Sequence, residues 1–342
     1  MTPANRNDDR RVRQLAVKNL LHEAAARTER VPELLQELYR DASSCRLEED
    51  AELLAGPFAQ TSRHVFSPPN TAFRDPCPCP GGGFLGVEVY GQRLMRLGFD
   101  SGLQPVCAPF GASAITSTKE GFAVLSAPDQ QLFLLDENLA PLSCCAAQEL
   151  GIVLNQSTWI TEVGDGLAIA VAETREVLFV SKQLRVTGKV RLPRSSSPGS
   201  MVGYGGGVLV SEAIPSDSRC GGLLWVHEDG AVRSVMEGLG RPMGLSVASW
   251  GWVVCSFSGI HFLRTQGLAV TGHQLLPWAG IAKRIKARSG YCLAAVPRQG
   301  KLAVVVRLAS GGINRNTNFC LFECDLPGGA GELPGTGDEG CR

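Results

Sequence analysis

From Gly83 onward the apolar and polar positions of the chain follow a repeating order. A glycine is followed by about five apolar or β-branched residues, a polar turn, a second apolar run, another turn and a third short run. GFLGVEVYGQRLMRLGFDSGL begins at Gly83, GFAVLSAPDQQLFLLDENLAPL at Gly121 and GLAIAVAETREVLFVSKQLRVTG at Gly166. GVLVSEAIPSDSRCGGLLWVHEDGAVRSV follows at Gly207, GWVVCSFSGIHFLRTQGLAVTG at Gly251 and GYCLAAVPRQGKLAVVVRLASG at Gly290. The intervals are 38, 45, 41, 44 and 39 residues. A further short run precedes most of these glycines: ASAITST, STWITEV, GSMVGY and MGLSVAS. Four short strands in each period of 38–45 residues predict the blades of a β-propeller, six of them over roughly residues 62–327. Runs such as LAIAVA and CLAAV are continuously apolar, which predicts strands covered on both faces by neighbouring blades. A parallel α/β sheet would need crossover helices that this pattern lacks, and a β-sandwich has no fixed period of this length.

The N-terminal part differs in kind. Val12, Leu15, Ala16, Leu20 and Ala24 recur at helical spacing in a stretch without Gly or Pro. Pro32 suits the first turn of a second short helix reaching about Asp41 and presenting Leu34, Leu35, Leu38 and Tyr39. The predicted organisation is an all-β, six-bladed propeller with a short N-terminal α-helical arm. Residues 1–42 form the arm, and 43–82 a Pro-rich linker and candidate closure of the propeller. Residues 83–326 form the propeller, with Asn318–Leu326 pairing inside the last blade, and 327–342 a disordered tail. The stretch from Ser67 to Pro80 reads as a spacer.

The segments APFGASAITSTKEGFAVLSAPDQQLFLLDENLAPL and LGRPMGLSVASWGWVVCSFSGIHFLRTQGLAV carry a likeness to a known family. Their order of lead-in, strand, glycine, strand, strand and polar turn resembles the NHL-repeat type of six-bladed propeller, over about residues 80–310. Where that family commonly places an Asp after the second strand, this chain has Ser, Ala or Glu, as in LSAPD, VAETR and VSEAI. No Gly-His or Trp-Asp pair recurs as it does in WD-repeat propellers.

Composition narrows the partners. Of 342 residues 44% are hydrophobic and 19% charged, enough to build a large core and exclude wholesale disorder. Thirty-three basic residues balance thirty-three acidic ones, so no global field recruits DNA or an anionic membrane. The first thirty residues hold no apolar signal core, and no run approaches eighteen apolar residues; the expected location is cytoplasmic. Several of the twelve cysteines lie inside apolar runs and read as reduced, buried side chains. Cys77 and Cys79 lack the second ligand pair that zinc needs, and the adjacent Cys144 and Cys145 read as idle thiols.

No nucleophile elbow, H-E-x-x-H or phosphate-binding loop occurs, and the glycine run Gly203–Gly207 leads into a strand. His22, His64, His227, His261 and His273 are scattered and read as structural. The sequence therefore assigns no catalytic residue, cofactor or metal. Its leading reading is a non-enzymatic protein-interaction scaffold. Six-bladed propellers include the gluconolactonase-like enzymes, which gives a second reading, a metal-dependent lactonase or esterase with oxygen ligands. Glu88, Glu173 and Glu212, near second strands, are its candidate donors, but the inward Asn residues it requires are not evident, since Asn138 and Asn155 lie at turns. The densest charge is Lys283, Arg284, Lys286 and Arg288, alternating with Ile285 and Ala287 as on a strand face. That cluster is a solvated edge or a contact for an acidic peptide or RNA; the NHL resemblance implies RNA, and Trp278 and Tyr291 flank it.

Overall fold

The computed structural model describes residues 52–53, 60–66, 73–79, 83–88, 92–98, 102–193, 197–214, 217–285, 290–298, 301–308 and 318–326. These residues form 25 strands in six sheets and one helix. Blade one is β3 (Phe73–Pro78), β4 (Phe84–Glu88), β5 (Arg93–Gly98) and β6 (Gly102–Pro105). Blade two is β7 (Ala114–Thr118), β8 (Gly121–Ser126), β9 (Gln131–Leu135) and β10 (Pro141–Ala146). Blade three is β11 (Thr158–Val163), β12 (Gly166–Val171), β13 (Glu176–Val180) and β14 (Val186–Arg191). Blade four is β15 (Ser197–Tyr204), β16 (Gly207–Ile214), β17 (Asp217–Val226) and β18 (Val232–Gly240).

Blade five is β19 (Pro242–Ala248), β20 (Gly251–Ser256), β21 (Gly259–Gln266) and β22 (Ala269–Pro277), with β1 (Glu52–Leu53) added in parallel outside β22. Helix α1 (Trp278–Ile285) then leads to blade six, β23 (Gly290–Arg298), β24 (Lys301–Leu308) and β25 (Asn318–Asp325). The outermost strand of blade six is β2 (Gln60–Phe66), so N-terminal and C-terminal segments pair in one sheet and close the ring. Within each blade all neighbouring strands of the four are antiparallel.

The core is a ring of six apolar layers, one between each pair of adjacent blades. Leu85, Phe122 and Val124 fill the layer between blades one and two, and Phe84, Leu97 and Val305 the layer that joins blade six back to blade one. Second strands lie between two such layers, which is why β8 and β20 are buried at every position. The glycine that opens each period has a steric cause. A Cβ at Gly121 would overlap the carbonyl oxygen of Leu135 on the third strand, and one at Gly251, where φ is 151°, that of Leu263. Any larger residue there would push the third strand off the second.

The structure corrects two expectations. The sixth repeat is one strand out of step: Gly290 opens β23, a first strand, whereas the other glycines open second strands. Helix α1 occupies the connection before β23, and the second strand of this blade, β24, opens later, at Lys301. The expected spacer contains β3, the innermost strand of blade one. Its prolines are tolerated because an innermost strand has a hydrogen-bonded neighbour on one side only, and the ladder is interrupted by a register shift between Arg74 and Cys77. Cys77 and Cys79 are buried in the layer against blade two. The helical arm of residues 1–42, the tail from Pro327, Lys286 and Arg288 lie outside the described residues. Among the described residues, no helix is long and apolar enough to cross a membrane.

Candidate functional site

First strands begin, and second strands end, at one end of the propeller, called here the upper face. At the channel mouth on that face, Arg74 of β3 reaches past blade two to blade three. Its Nη1 donates to the carbonyl of Gln156 and its Nη2 to the carbonyl of Thr158 at 2.9 Å. Its Nε donates to Asp75 Oδ2 at 2.9 Å, and its guanidinium carbon lies 5.3 Å from the centre of the Trp159 ring. All three nitrogens are thus engaged. Asp75 sits at the bulge with φ 49°, a conformation Asp tolerates better than most residues. Burial pushes its carboxyl pKa up, outweighing the opposite pull of the Arg74 charge.

The oxygen donors singled out from the sequence are not brought together. Glu88 is buried at the end of β4, and Oε2 accepts from Arg93 Nε and Nη2 at 2.9 and 2.7 Å. Glu212 is buried on β16 of blade four, and Glu173 is exposed in the turn after β12. Asn155 accepts from the Ser157 N–H and the Thr158 hydroxyl, organising its own turn. Among the described residues no three His, Cys, Asp or Glu side chains share a metal-sized space. A resident divalent cation does not fit this set. The charge at the mouth is already a guanidinium, and Glu88 is tied to Arg93.

The upper face of blades five and six carries a different arrangement. Arg241, at the end of blade four, has its guanidinium carbon 5.8 Å from the Phe257 ring centre. Phe257 tilts against Tyr291 at 4.9 Å, and Arg307 covers Tyr291 at 6.0 Å while donating to its hydroxyl at 3.1 Å. The rings are half-buried and Arg241 is exposed. Helix α1 packs beside this row: the Trp278 N–H donates to the Ser258 carbonyl at 2.6 Å, and the indole lies against Gly290. The basic cluster thus begins on a helix, not on the strand face expected from its alternation. Lys283 is exposed in the last turn of α1, where the helix dipole favours cations, and Arg284 follows it in the same turn.

A buried polar thread runs through blade five. Ser256 Oγ lies 2.8 Å from His261 Nε2 and 2.6 Å from Ser258 Oγ, and His261 Nδ1 lies 2.9 Å from His273 Nε2. Ser256 and His261 are sealed between blades four and five. Burial, with His273 alongside, pulls the His261 pKa down to about 3, and burial lowers that of His273 too. With Ser256 and His261 both closed off from solvent, no substrate reaches the hydroxyl, and the thread serves as buried structural polarity.

Two features escaped sequence reasoning. Arg74 and Asp75 stand in a Pro-rich stretch whose composition reads as linker. The second had a visible signal: from Gly238 to Phe322 there is no Asp or Glu at all, while ten Lys or Arg occur. The rest of the chain holds 23 basic residues against all 33 acidic ones, so the neutral total hides a strong segregation of charge along the sequence. Most of blades five and six is built from its basic stretch.

No family model matches the chain, and no curated protein matches it in sequence. Solved structures of similar shape exist. A streptogramin B lyase is 10% identical with a TM-score of 0.52, over 80% of this chain and 89% of that one. A virginiamycin B lyase from Staphylococcus aureus is 11% identical with a TM-score of 0.52, over 78% and 99%. A putative gluconolactonase is 15% identical with a TM-score of 0.51, over 81% and 95%. Likeness at these identities shows the fold, and the chain is a six-bladed β-propeller.

Proposed function

We propose that this propeller is a protein-interaction scaffold that binds through its upper face. The observation that carries the reading is the Arg74 brace. It sets at the channel mouth a guanidinium whose three nitrogens are all engaged, which favours ligand contact on the surrounding face, where Arg241, Phe257, Tyr291 and Arg307 are gathered. Function drawn from a propeller alone would be analogy; here the support is the site itself. A second reading is a hydrolytic or lyase-type enzyme, and its support is the printed names of the similar structures, two lyases and a putative gluconolactonase. Glu88 and Glu212 at the ends of second strands are the carboxylates it would use.

One experiment separates the two. Purified protein is divided between affinity capture from cell extract and a panel of lactones and esters assayed with added divalent cations. The scaffold reading expects a reproducible protein partner that is lost with Arg241→Glu plus Arg307→Glu, and no turnover. Turnover abolished by Glu88→Gln, with no partner recovered, would install the enzyme in its place.

A further inference from the structure

The ligand class of the upper face follows from its electrostatics and from how its rings are covered. This inference rests on the scaffold reading and names its partner's chemistry. The first observation is the acid-free run from Gly238 to Phe322, which builds most of blades five and six and supplies ten cations. Arg241, Arg307 and Lys283 stand at the upper end of that unit, where β19 begins, β24 ends and α1 crosses between blades. This run itself supplies no acidic side chain to offset them, which favours contact with an acidic partner group.

The second observation concerns the aromatic pair. A nucleobase needs an open ring face on which to stack. Phe257 and Tyr291 present none that is simple to use: they tilt against each other at 57°, Arg241 lies over Phe257, and Arg307 lies over Tyr291. The rings instead hold the two guanidinium groups in place, and the Tyr291 hydroxyl takes one N–H of Arg307. A planar guanidinium fixed in this way keeps its other N–H groups for bidentate contact with a carboxylate, at a reduced cost in side-chain entropy. We infer that blades five and six bind an Asp- or Glu-rich segment of a partner protein, with Arg241 and Arg307 as paired carboxylate receptors and Lys283 extending the contact along α1.

The test is fluorescence anisotropy with a labelled oligoglutamate peptide on the full chain, beside a labelled oligouridylate RNA. The expected result is saturable peptide binding that weakens more than about tenfold between about 0.05 and 0.5 M salt. Arg241→Ala and Arg307→Ala should each weaken it about tenfold, as loss of a charge-assisted bidentate contact does. Lys182→Ala, in an exposed turn at the lower end of blade three, should leave it unchanged, and thermal melts of all variants confirm the fold. Failure of the peptide to bind, binding indifferent to both arginines, or tighter binding of the RNA at the same residues would each overturn the inference. A captured partner retained by the double arginine variant would also overturn it while leaving the scaffold reading in force at another surface. Absence of any partner together with ester turnover would remove that reading instead.

Discussion

Arg74→Ala is the sharpest perturbation of the channel mouth. It deletes an ion pair to Asp75, two hydrogen bonds to carbonyls of blade three and a contact with the Trp159 ring. Both charged side chains keep only 17% exposure, so this is a mostly desolvated pair. Removing one member of a fully buried pair costs about 3–5 kcal/mol because its partner stays behind uncompensated. The residual exposure of Asp75 lets water supply part of the loss, leaving about 2–3 kcal/mol. For a domain of this size that lowers the melting midpoint by about 5–10 °C. The pH dependence fixes the mechanism. Burial already raises the Asp75 carboxyl above its unfolded value, and loss of Arg74 raises it further. A group with a raised carboxyl pKa destabilises the fold at neutral pH, and the penalty fades as pH falls toward the unfolded carboxylate range. The gap between wild type and variant should therefore narrow from pH 7 to pH 4 in differential scanning calorimetry, and Asp75→Asn added to Arg74→Ala should recover part of it at pH 7. Equal midpoints at pH 7, or a gap that does not change with pH, would refute the account of the mouth as a charge brace.

Three further outcomes follow from the same packing. Gly251→Ala should lower the unfolding free energy severely, by about 3 kcal/mol or more in chemical denaturation, because its Cβ meets the Leu263 carbonyl; Gly230→Ala, in a turn with open space around it, should cost about 1 kcal/mol from its φ of 97° alone. His261 is neutral in the fold with its pKa pulled down to about 3, so its contribution is present above the unfolded value near 6.5 and is lost as pH falls below it. Wild type should lose stability between pH 7 and pH 4 more steeply than His261→Gln, as read by chemical denaturation at fixed pH. Among the described cysteines, Cys107 and Cys144 are exposed and the others buried, so peptide mapping after brief iodoacetamide treatment should find those two alkylated and Cys255 and Cys292 untouched until the protein unfolds. Burial holds the thiol of Cys292 well above its ordinary pKa, with Cys255 adding to the effect.

The propeller was legible because one steric demand recurs. A residue without a Cβ must open each second strand, as at Gly121 and Gly251, and apolar runs must fill both faces of that strand. The same pattern misled at Gly290, which is also crowded by a carbonyl of the following strand, that of Arg307, but there a first strand meets the second instead of a second meeting the third. Alternation at Ile285 and Ala287 suited a strand as well as a helix, and the short α1 was decided by its packing onto Ser258 and Gly290. The Arg74 brace had no local signature, since its partners are carbonyls some eighty residues away. Phe257 and Arg241 join Tyr291 only through contacts between blades. The charge polarity, in contrast, is written plainly in the sequence and is lost only when charges are summed over the whole chain.

The central claim is that the upper face of blades five and six is the working surface. A photoreactive benzoylphenylalanine placed at Phe257 tests it, with the same group at Leu142, exposed on the outer strand of blade two, as reference. On irradiation in cell extract, the account predicts a discrete protein crosslink at position 257 that excess oligoglutamate suppresses, and none at position 142. A crosslink confined to position 142, or one at position 257 that oligoglutamate leaves intact, would contradict it.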